Sequence, residues 1–156
     1  MPRRLEPLVP EPLAALLDGH DLEAAIGLTL LLLTTSEDGW PHVAMLSAGE
    51  VLVPEQEEVR LALWGGTQTS ANLARGGQAT LMAVLPPATY YLRLKAGAPL
   101  ETHVGGHPRA IFRTSVEEAL EDLVAYAEVT SGIQFKLVDT EATLRSWRAN
   151  LEAMRV

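Results

Sequence analysis

Residues 59–85 read VRLALWGGTQTSANLARGGQATLMAVL and carry the clearest structural pattern in the chain. The alternating residues of Val59 to Trp64 and the apolar run of Gln78 to Leu85 are both typical of β-strands. Between them lie two glycine pairs that enclose a cluster of hydroxyl and amide side chains. This arrangement predicts a short helix that Thr69 or Ser70 caps and that the second glycine pair ends.

The residues before this stretch predict a short helix and a hairpin. Pro10 to Leu17 has the apolar spacing of a helix. Ala25 to Thr35 is nearly continuous apolar sequence and predicts a strand buried on both faces. An Asp-Gly turn follows, and His42 to Val53 is predicted as the returning strand, with a bulge at Gly49.

The residues after this stretch predict further strands and two helices. The expected elements are a turn at Pro86-Pro87, a strand from Tyr90 to Lys95, an irregular loop from Gly97 to Pro108, a strand from Arg109 to Thr114, a helix from Val116 to Ala127 that the Ser115-x-x-Glu118 capping box opens, a strand from Ile133 to Leu137, and a last helix that begins at Asp139 or Thr140. The fold class is therefore mainly β: an antiparallel barrel or strongly curved sheet of six or seven strands with about three flanking helices.

The composition excludes several classes of protein. The 156 residues suit one domain, 1–156, and the chain has no cysteine, so disulfides and thiolate metal sites are excluded. The net charge of −8 argues against binding to nucleic acid or to an anionic membrane. We find no signal peptide and no bilayer-spanning stretch, so we expect a cytoplasmic protein. His103 and His107 lie among glycines and a proline, so no metal site is predicted.

The loop after Trp64 is the candidate functional site. Glycines let backbone N–H groups approach a ligand, hydroxyl groups can donate hydrogen bonds, and the amino end of a helix favours an anion. These features predict a phosphate cradle. The alternative is an ordinary capped loop between a strand and a helix, and the residues alone leave both open.

Three stretches of the sequence resemble the FMN-binding split-barrel family, which includes pyridoxamine 5′-phosphate oxidase-like proteins. They are the hairpin Leu30 to Met45, the segment Val59 to Leu81 with its Asn-Leu-x-Arg-Gly-Gly motif, and Val129 to Trp147 with Ser-Gly-Ile-x-Phe before a tryptophan-bearing helix. The resemblance implies a split barrel, a homodimer with FMN at its interface, a small-molecule ligand and, in most members, an oxidoreductase activity. It identifies no catalytic acid or base.

The resemblance also implies where the phosphate of FMN would lie. The matching positions are Ala44 on the second strand, and Thr67, Thr69, Ser70 and Asn72 on the loop. Members near the true oxidase have an arginine at the position of Ala44 and a lysine at that of Thr69. Since a charge-assisted hydrogen bond contributes roughly 1.5–3 kcal/mol, we expect FMN to bind weakly here.

Other side chains can compensate for the two missing cations. Arg93 and Lys95 share one face of a later strand, and Arg75 follows the loop. Trp64 ends a strand beside the loop, so it can pack on a ring system or serve the fold alone. Two alternatives to an FMN protein remain open. One is a cofactor-free split-barrel dimer that acts as a binding or structural protein, and the other is a relative that binds F420 or haem.

Overall fold

Nine strands and three helices make up the computed structural model, which describes residues 1–156. The strands are β1 (Arg3–Leu5), β2 (Leu30–Thr35), β3 (Pro41–Leu46), β4 (Val51–Glu55), β5 (Glu58–Trp64), β6 (Gln78–Leu85), β7 (Ala88–Ala96), β8 (Leu100–Val104) and β9 (His107–Asp122). The helices are α1 (Glu11–Leu17), α2 (Gln68–Gly76) and α3 (Thr140–Met154), and none is long and apolar enough to cross a bilayer.

Seven of the strands form one continuous curled sheet. Their order is β3-β2-β6-β7-β9-β5-β4, and the short strands β1 and β8 also pair with β9. Every pairing is antiparallel. The predicted fold class is therefore confirmed: a mainly β, antiparallel half-barrel with three helices.

The concave side of the sheet holds the hydrophobic core. Alternate residues of each strand point inward, so Leu61 on β5 and its register partner Phe112 on β9 are fully buried. Leu13 and Leu17 of α1 join the same buried cluster. Burial of this apolar surface is the main force that closes the sheet into a half-barrel.

Helix α3 packs beside β5 and β4 at one end of the sheet. Arg60 on β5 donates a hydrogen bond to the carbonyl oxygen of Met154 at 2.8 Å, and Trp147 lies directly over Gly49. A Cβ atom at Gly49 would overlap the indole ring of Trp147. The predicted bulge at Gly49 is wrong, because this glycine lies in a 3-10 turn, Ala48–Glu50, that admits the tryptophan.

The helix predicted over Val116 to Ala127 is wrong, because β9 continues through this region to Asp122. Arg93 of β7 faces Glu118, whereas Leu94 faces Val116, so Glu117 is an extra residue in β9. This bulge shifts the alternation of buried residues, and the next buried position after Val116 is Ala119. The spacing of Val116, Leu120 and Leu123 predicts a helix, but it also occurs in this bulged strand and the residue after it.

Four other boundaries differ from the predictions. Ile133 to Leu137 forms no strand, and β8 crosses the loop predicted over Gly97 to Pro108. The strand predicted over Ala25 to Thr35 begins only at Leu30. The strand predicted over His42 to Val53 is divided, because β3 pairs with β2 and β4 pairs with β5. The last helix begins after Asp139, as predicted, and the side chain of Asp139 caps the helix.

Candidate functional site

Helix α2 begins where the sequence indicates, but with a different cap. The hydroxyl oxygen of Thr67 accepts a hydrogen bond from the backbone N–H of Ser70 at 3.3 Å, so Thr67 is the N-cap and the prediction of Thr69 or Ser70 is wrong. Gly77 ends the helix with a φ of +67°, a left-handed conformation that glycine adopts without a steric cost. The two glycine pairs thus serve the geometry of the loop and of the helix end.

The hydroxyl protons of Thr67 and Ser70 are used inside the loop. Thr67 donates to the carbonyl oxygen of Trp64 at 3.0 Å, and Ser70 donates to the same oxygen. A hydroxyl group has one proton, so these contacts leave neither side chain a free donor for an anion. The two hydroxyls hold the loop against the end of β5.

Asn72 anchors α2 to β2 from a buried position. Its side-chain nitrogen donates to the hydroxyl oxygens of Thr34 at 3.1 Å and Ser36 at 3.3 Å. Its side-chain oxygen accepts a hydrogen bond from Gln68 at 2.7 Å. These bonds satisfy a buried amide, and they fix α2 across the end of the hairpin of β2 and β3.

Thr69 lies beside a histidine that the sequence analysis did not include in the site. Nε2 of His42 on β3 lies 3.0 Å from the hydroxyl oxygen of Thr69. When Nε2 carries the ring proton, His42 donates and the proton of Thr69 is free for a ligand. Ala44 lies two residues from His42 on the same face of β3, opposite Leu32. That shared face was the signal for His42.

Trp64 is partly covered by charge and by a second ring. The guanidinium carbon of Arg109 lies 3.6 Å from the centre of the indole ring, and the ring of His107 meets the indole edge-on at 5.3 Å. Trp64 remains 44% exposed, whereas Nε and Nη1 of the buried Arg109 have no hydrogen-bond partner. The guanidinium group of Arg109 therefore makes a cation–π contact with one face of the Trp64 ring.

Glu50 is the acidic group whose charge acts on Arg109. Burial raises the pKa of the Glu50 carboxyl group, although hydrogen bonds from the backbone N–H and hydroxyl of Ser47 oppose the effect. Burial lowers the pKa of Arg109, and the Glu50 charge opposes this change. The two groups compensate each other inside the fold, since each favours the charged form of the other.

A groove lies at the end of β2, β6 and β7, close to α2. Its volume is about 580 Å³, which is within the usual range for small-molecule sites. Its lining combines apolar side chains, hydroxyls, an amide, two cations and one carboxylate: Leu33, Thr34, Thr35, Gln78, Ala79, Thr80, Arg93, Leu94, Lys95 and Glu117. Thr34 connects the groove to the loop, because it faces His42 in the sheet and bonds to Asn72.

The cations predicted to compensate differ in how they are paired. Arg93 donates to Glu118 at 2.8 Å, and Arg4 donates to the same carboxylate. The hydrogen bond from Arg4 is the largest of the effects that lower the pKa of Glu118, and the charge of Arg93 adds to them. Arg75 donates to the carbonyl oxygen of Thr35, whereas Lys95 is exposed and has no ion pair. Lys95 is thus the uncommitted cation of the groove.

Comparisons with known proteins identify a sequence relative of this chain. No protein-family model matches the chain. Protein YclD of Bacillus subtilis (strain 168), which is uncharacterized, is 37% identical over 140 residues, covering 90% of this chain and 91% of YclD. The chain belongs to the family of YclD. The two sequences therefore match over nearly the whole of each chain.

Solved structures confirm the fold. A candidate pyridoxamine 5′-phosphate oxidase from Lactobacillus delbrueckii superposes with a TM-score of 0.57 and 16% identity over 75% of this chain and 98% of that one. An FMN-binding protein from Syntrophomonas wolfei superposes with a TM-score of 0.53 and 15% identity, over 73% of this chain and 91% of that one. The split-barrel fold that the resemblance implies is thereby confirmed.

Proposed function

We propose that the protein binds FMN in the groove between β2, β6 and β7. The observation that carries the proposal is the groove itself, which brings threonine hydroxyls together with Lys95 and which Thr34 connects to Asn72 of α2. The fold is shared with an FMN-binding protein, which supports the choice of ligand. The residues present fit a phosphorylated ligand, because the groove offers hydroxyl donors and the unpaired Lys95, and the one carboxylate in its lining, Glu117, accepts a hydrogen bond from Ser115.

Lys95 takes the role of the cations that Ala44 and Thr69 do not supply. A phosphate monoester carries nearly two negative charges, and a lysine ammonium group can donate three hydrogen bonds to it. Arg93 contributes less, because Glu118 already neutralises it. With one free cation rather than two, we propose that the affinity is modest.

Bound FMN would supply hydride or electron transfer, which supports a small oxidoreductase activity. The chain contributes binding and orientation. Thr34 and Thr80 offer hydroxyls at the groove, and His42 holds the hydroxyl of Thr69 at the amino end of α2. No side chain in the groove is assigned a proton-transfer step.

We also propose a homodimer. Val43 and Met45 on β3 are 53% and 66% exposed, and no helix covers them. Leu31 on β2 and Met82 on β6 lie on the same outer side of the sheet, where they line a small cavity. An apolar face of this kind suits a second copy, and we expect the dimer to bury more than about 2,000 Å² in total.

A comparison of FMN with riboflavin tests the proposed ligand. Riboflavin has the same ring system without the phosphate, so tighter binding of FMN measures recognition of the phosphate. Lys95→Gln should weaken FMN binding about tenfold, which corresponds to about 1.4 kcal/mol, and should leave riboflavin binding unchanged. The control is Arg145→Gln, which removes an exposed cation without an ion pair on α3, outside the groove and outside the proposed dimer contact. Equal affinities for both ligands in the wild type would contradict phosphate recognition.

A second candidate function is a cofactor-free split-barrel dimer. The contacts of the loop favour it. Thr67 and Ser70 both donate their hydroxyl protons to the carbonyl oxygen of Trp64. The side-chain amide of Asn72 donates to Thr34 on β2. In this case FMN and riboflavin should both fail to saturate the protein. Saturable FMN binding with a Lys95 dependence would exclude this alternative.

A further inference from the structure

The segment from Leu123 to Val138 is not joined to the rest of the chain by hydrogen bonds. Neither its backbone nor its side chains make a hydrogen bond to any other part of the chain. Folded proteins average roughly one hydrogen bond per residue, so a segment of this length without any is unusual. Its N–H and C=O groups are therefore open to a partner.

Part of this segment has the burial pattern of a strand. Phe135 and Leu137 pack against the core, whereas Ile133, Gln134 and Lys136 are exposed. The alternating sequence from Ile133 to Leu137 predicts a strand, yet the chain offers it no neighbouring strand. This is what one half of an intermolecular strand pair looks like in a single chain.

β3 is an edge strand that suits the other half of such a pair. It pairs with β2 alone, and its outer side chains Val43 and Met45 are exposed and apolar. The opposite edge strand, β4, is different, because its first three residues are buried and α1 and α3 contact it. The free edge of β8 carries the polar Glu101 and His103. Helix α2 contacts β3 as well, through His42 and Thr69, but the outer side of β3 stays uncovered and apolar at Val43 and Met45.

Both halves lie on the same face of the molecule. Ile133 lines a cavity of about 280 Å³ together with Leu31 and Met82. Leu31 is the register partner of Met45 on β3. Neither β3 nor the segment from Ile133 to Leu137 contains an acidic residue, although the chain carries a net charge of −8. A second copy can therefore approach this face without repulsion between carboxylates.

We propose that Ile133–Leu137 of one protomer pairs as a strand with β3 of the second copy. This inference rests on the homodimer proposed above and specifies its contact. A two-fold axis would form the pair twice, since each copy supplies one segment and one β3 edge. Main-chain hydrogen bonds would supply affinity, and the exposed apolar side chains of β3 would be covered.

Cysteine cross-linking tests the pairing, because the chain has no native thiol. The double variant Met45→Cys with Gln134→Cys, treated with a short bis-maleimide, should give a covalent dimer, whereas each single variant should remain a single chain on a denaturing gel. The control pair is Leu100→Cys with Gln134→Cys, which places the first thiol on the edge of β8 and should give no dimer. A covalent dimer from Met45→Cys alone, or equal cross-linking by the control pair, would overturn the pairing.

Hydrogen exchange on the wild-type protein gives a second test that needs no variant. In the dimer, amides within Ile133–Leu137 should exchange at least about tenfold more slowly than in an unprotected peptide. Sedimentation on the same sample separates the two proposals. A dimer with fast exchange in this segment would overturn the strand pairing alone, and a monomer would overturn the dimer as well.

Discussion

The two ends of the curled sheet differ in what covers their outer surfaces. At one end, α3 packs beside β4 and β5, and the ring of Trp147 fills the space above Gly49. At the other end, no helix covers the outer side of β3, and Val43 and Met45 remain exposed. A helix of the same chain thus covers one end of the sheet, whereas no helix covers the outer side of the other end, where the groove also lies. We infer that the covered end maintains the fold and that the open end carries the function.

Gly49→Ala should have the largest effect, because it breaks the covered end. The added Cβ would overlap the ring of Trp147, and overpacking of a well-filled core typically costs 1–3 kcal/mol, so we expect a loss of about 3 kcal/mol in the free energy of unfolding. The measurement is denaturant unfolding. Gly76→Ala is the matched control, since no atom lies within 4 Å of its added Cβ, and it should be neutral or slightly stabilising. Equal effects of the two substitutions would mean that α3 is not held through Gly49.

Met45→Asp tests the open end. A carboxylate on this face should weaken the proposed dimer by about 2 kcal/mol or more while the protomer stays folded, because an interface core excludes unpaired charge. Sedimentation equilibrium measures the dissociation constant. Leu100→Asp is the control, because Leu100 is 57% exposed but lies on β8. If both substitutions shift the dissociation constant alike, the interface lies elsewhere.

The double variant Thr67→Val with Ser70→Ala tests the loop between the two ends. Because these hydroxyls bond to the carbonyl of Trp64 and cap α2, their loss should reduce the free energy of unfolding by about 1–2 kcal/mol. FMN affinity should change less than it does in Lys95→Gln. Melting temperature and affinity are measured on the same sample. A large loss of affinity at unchanged stability would instead make these hydroxyls direct ligands of the phosphate.

Glu118→Gln should have the smallest effect. The folded protein lowers the pKa of Glu118, so its ionised form contributes stability above the ordinary pKa of a glutamate, and this contribution disappears as the pH falls through the lowered value. The melting temperature of the wild type should therefore exceed that of the variant at neutral pH, and the difference should shrink in acid. Glu128→Gln, at an exposed carboxylate without an ion pair, should show no such trend. A difference that persists in acid would show a role other than charge.

Local patterns predicted the strands that alternate regularly, and they failed where alternation is interrupted. β6 and the strand from Tyr90 to Lys95 pair with close sequence neighbours, so their signal is complete within a few residues. The bulge at Glu117 could not be predicted, because it depends on how β9 meets β7. A capping-box pattern at Ser115 then favoured the wrong element.

The site was partly predictable for the same reason. The loop and its helix follow from glycine and hydroxyl positions alone. The contact between His42 and Thr69 joins residues far apart in the chain, and only the fold brings them together. The partners of Asn72 on and after β2 also depend on tertiary packing, so the sequence could not show that its amide is used internally.

Sedimentation velocity with added FMN, recorded in both protein and visible flavin absorbance, tests the central claim most directly. We predict that the flavin absorbance moves with a species of the mass of two chains, and that Lys95→Gln leaves that species intact while reducing the flavin that travels with it. Flavin that stays at the free-FMN boundary while the protein sediments as a single chain would contradict both the ligand and the assembly.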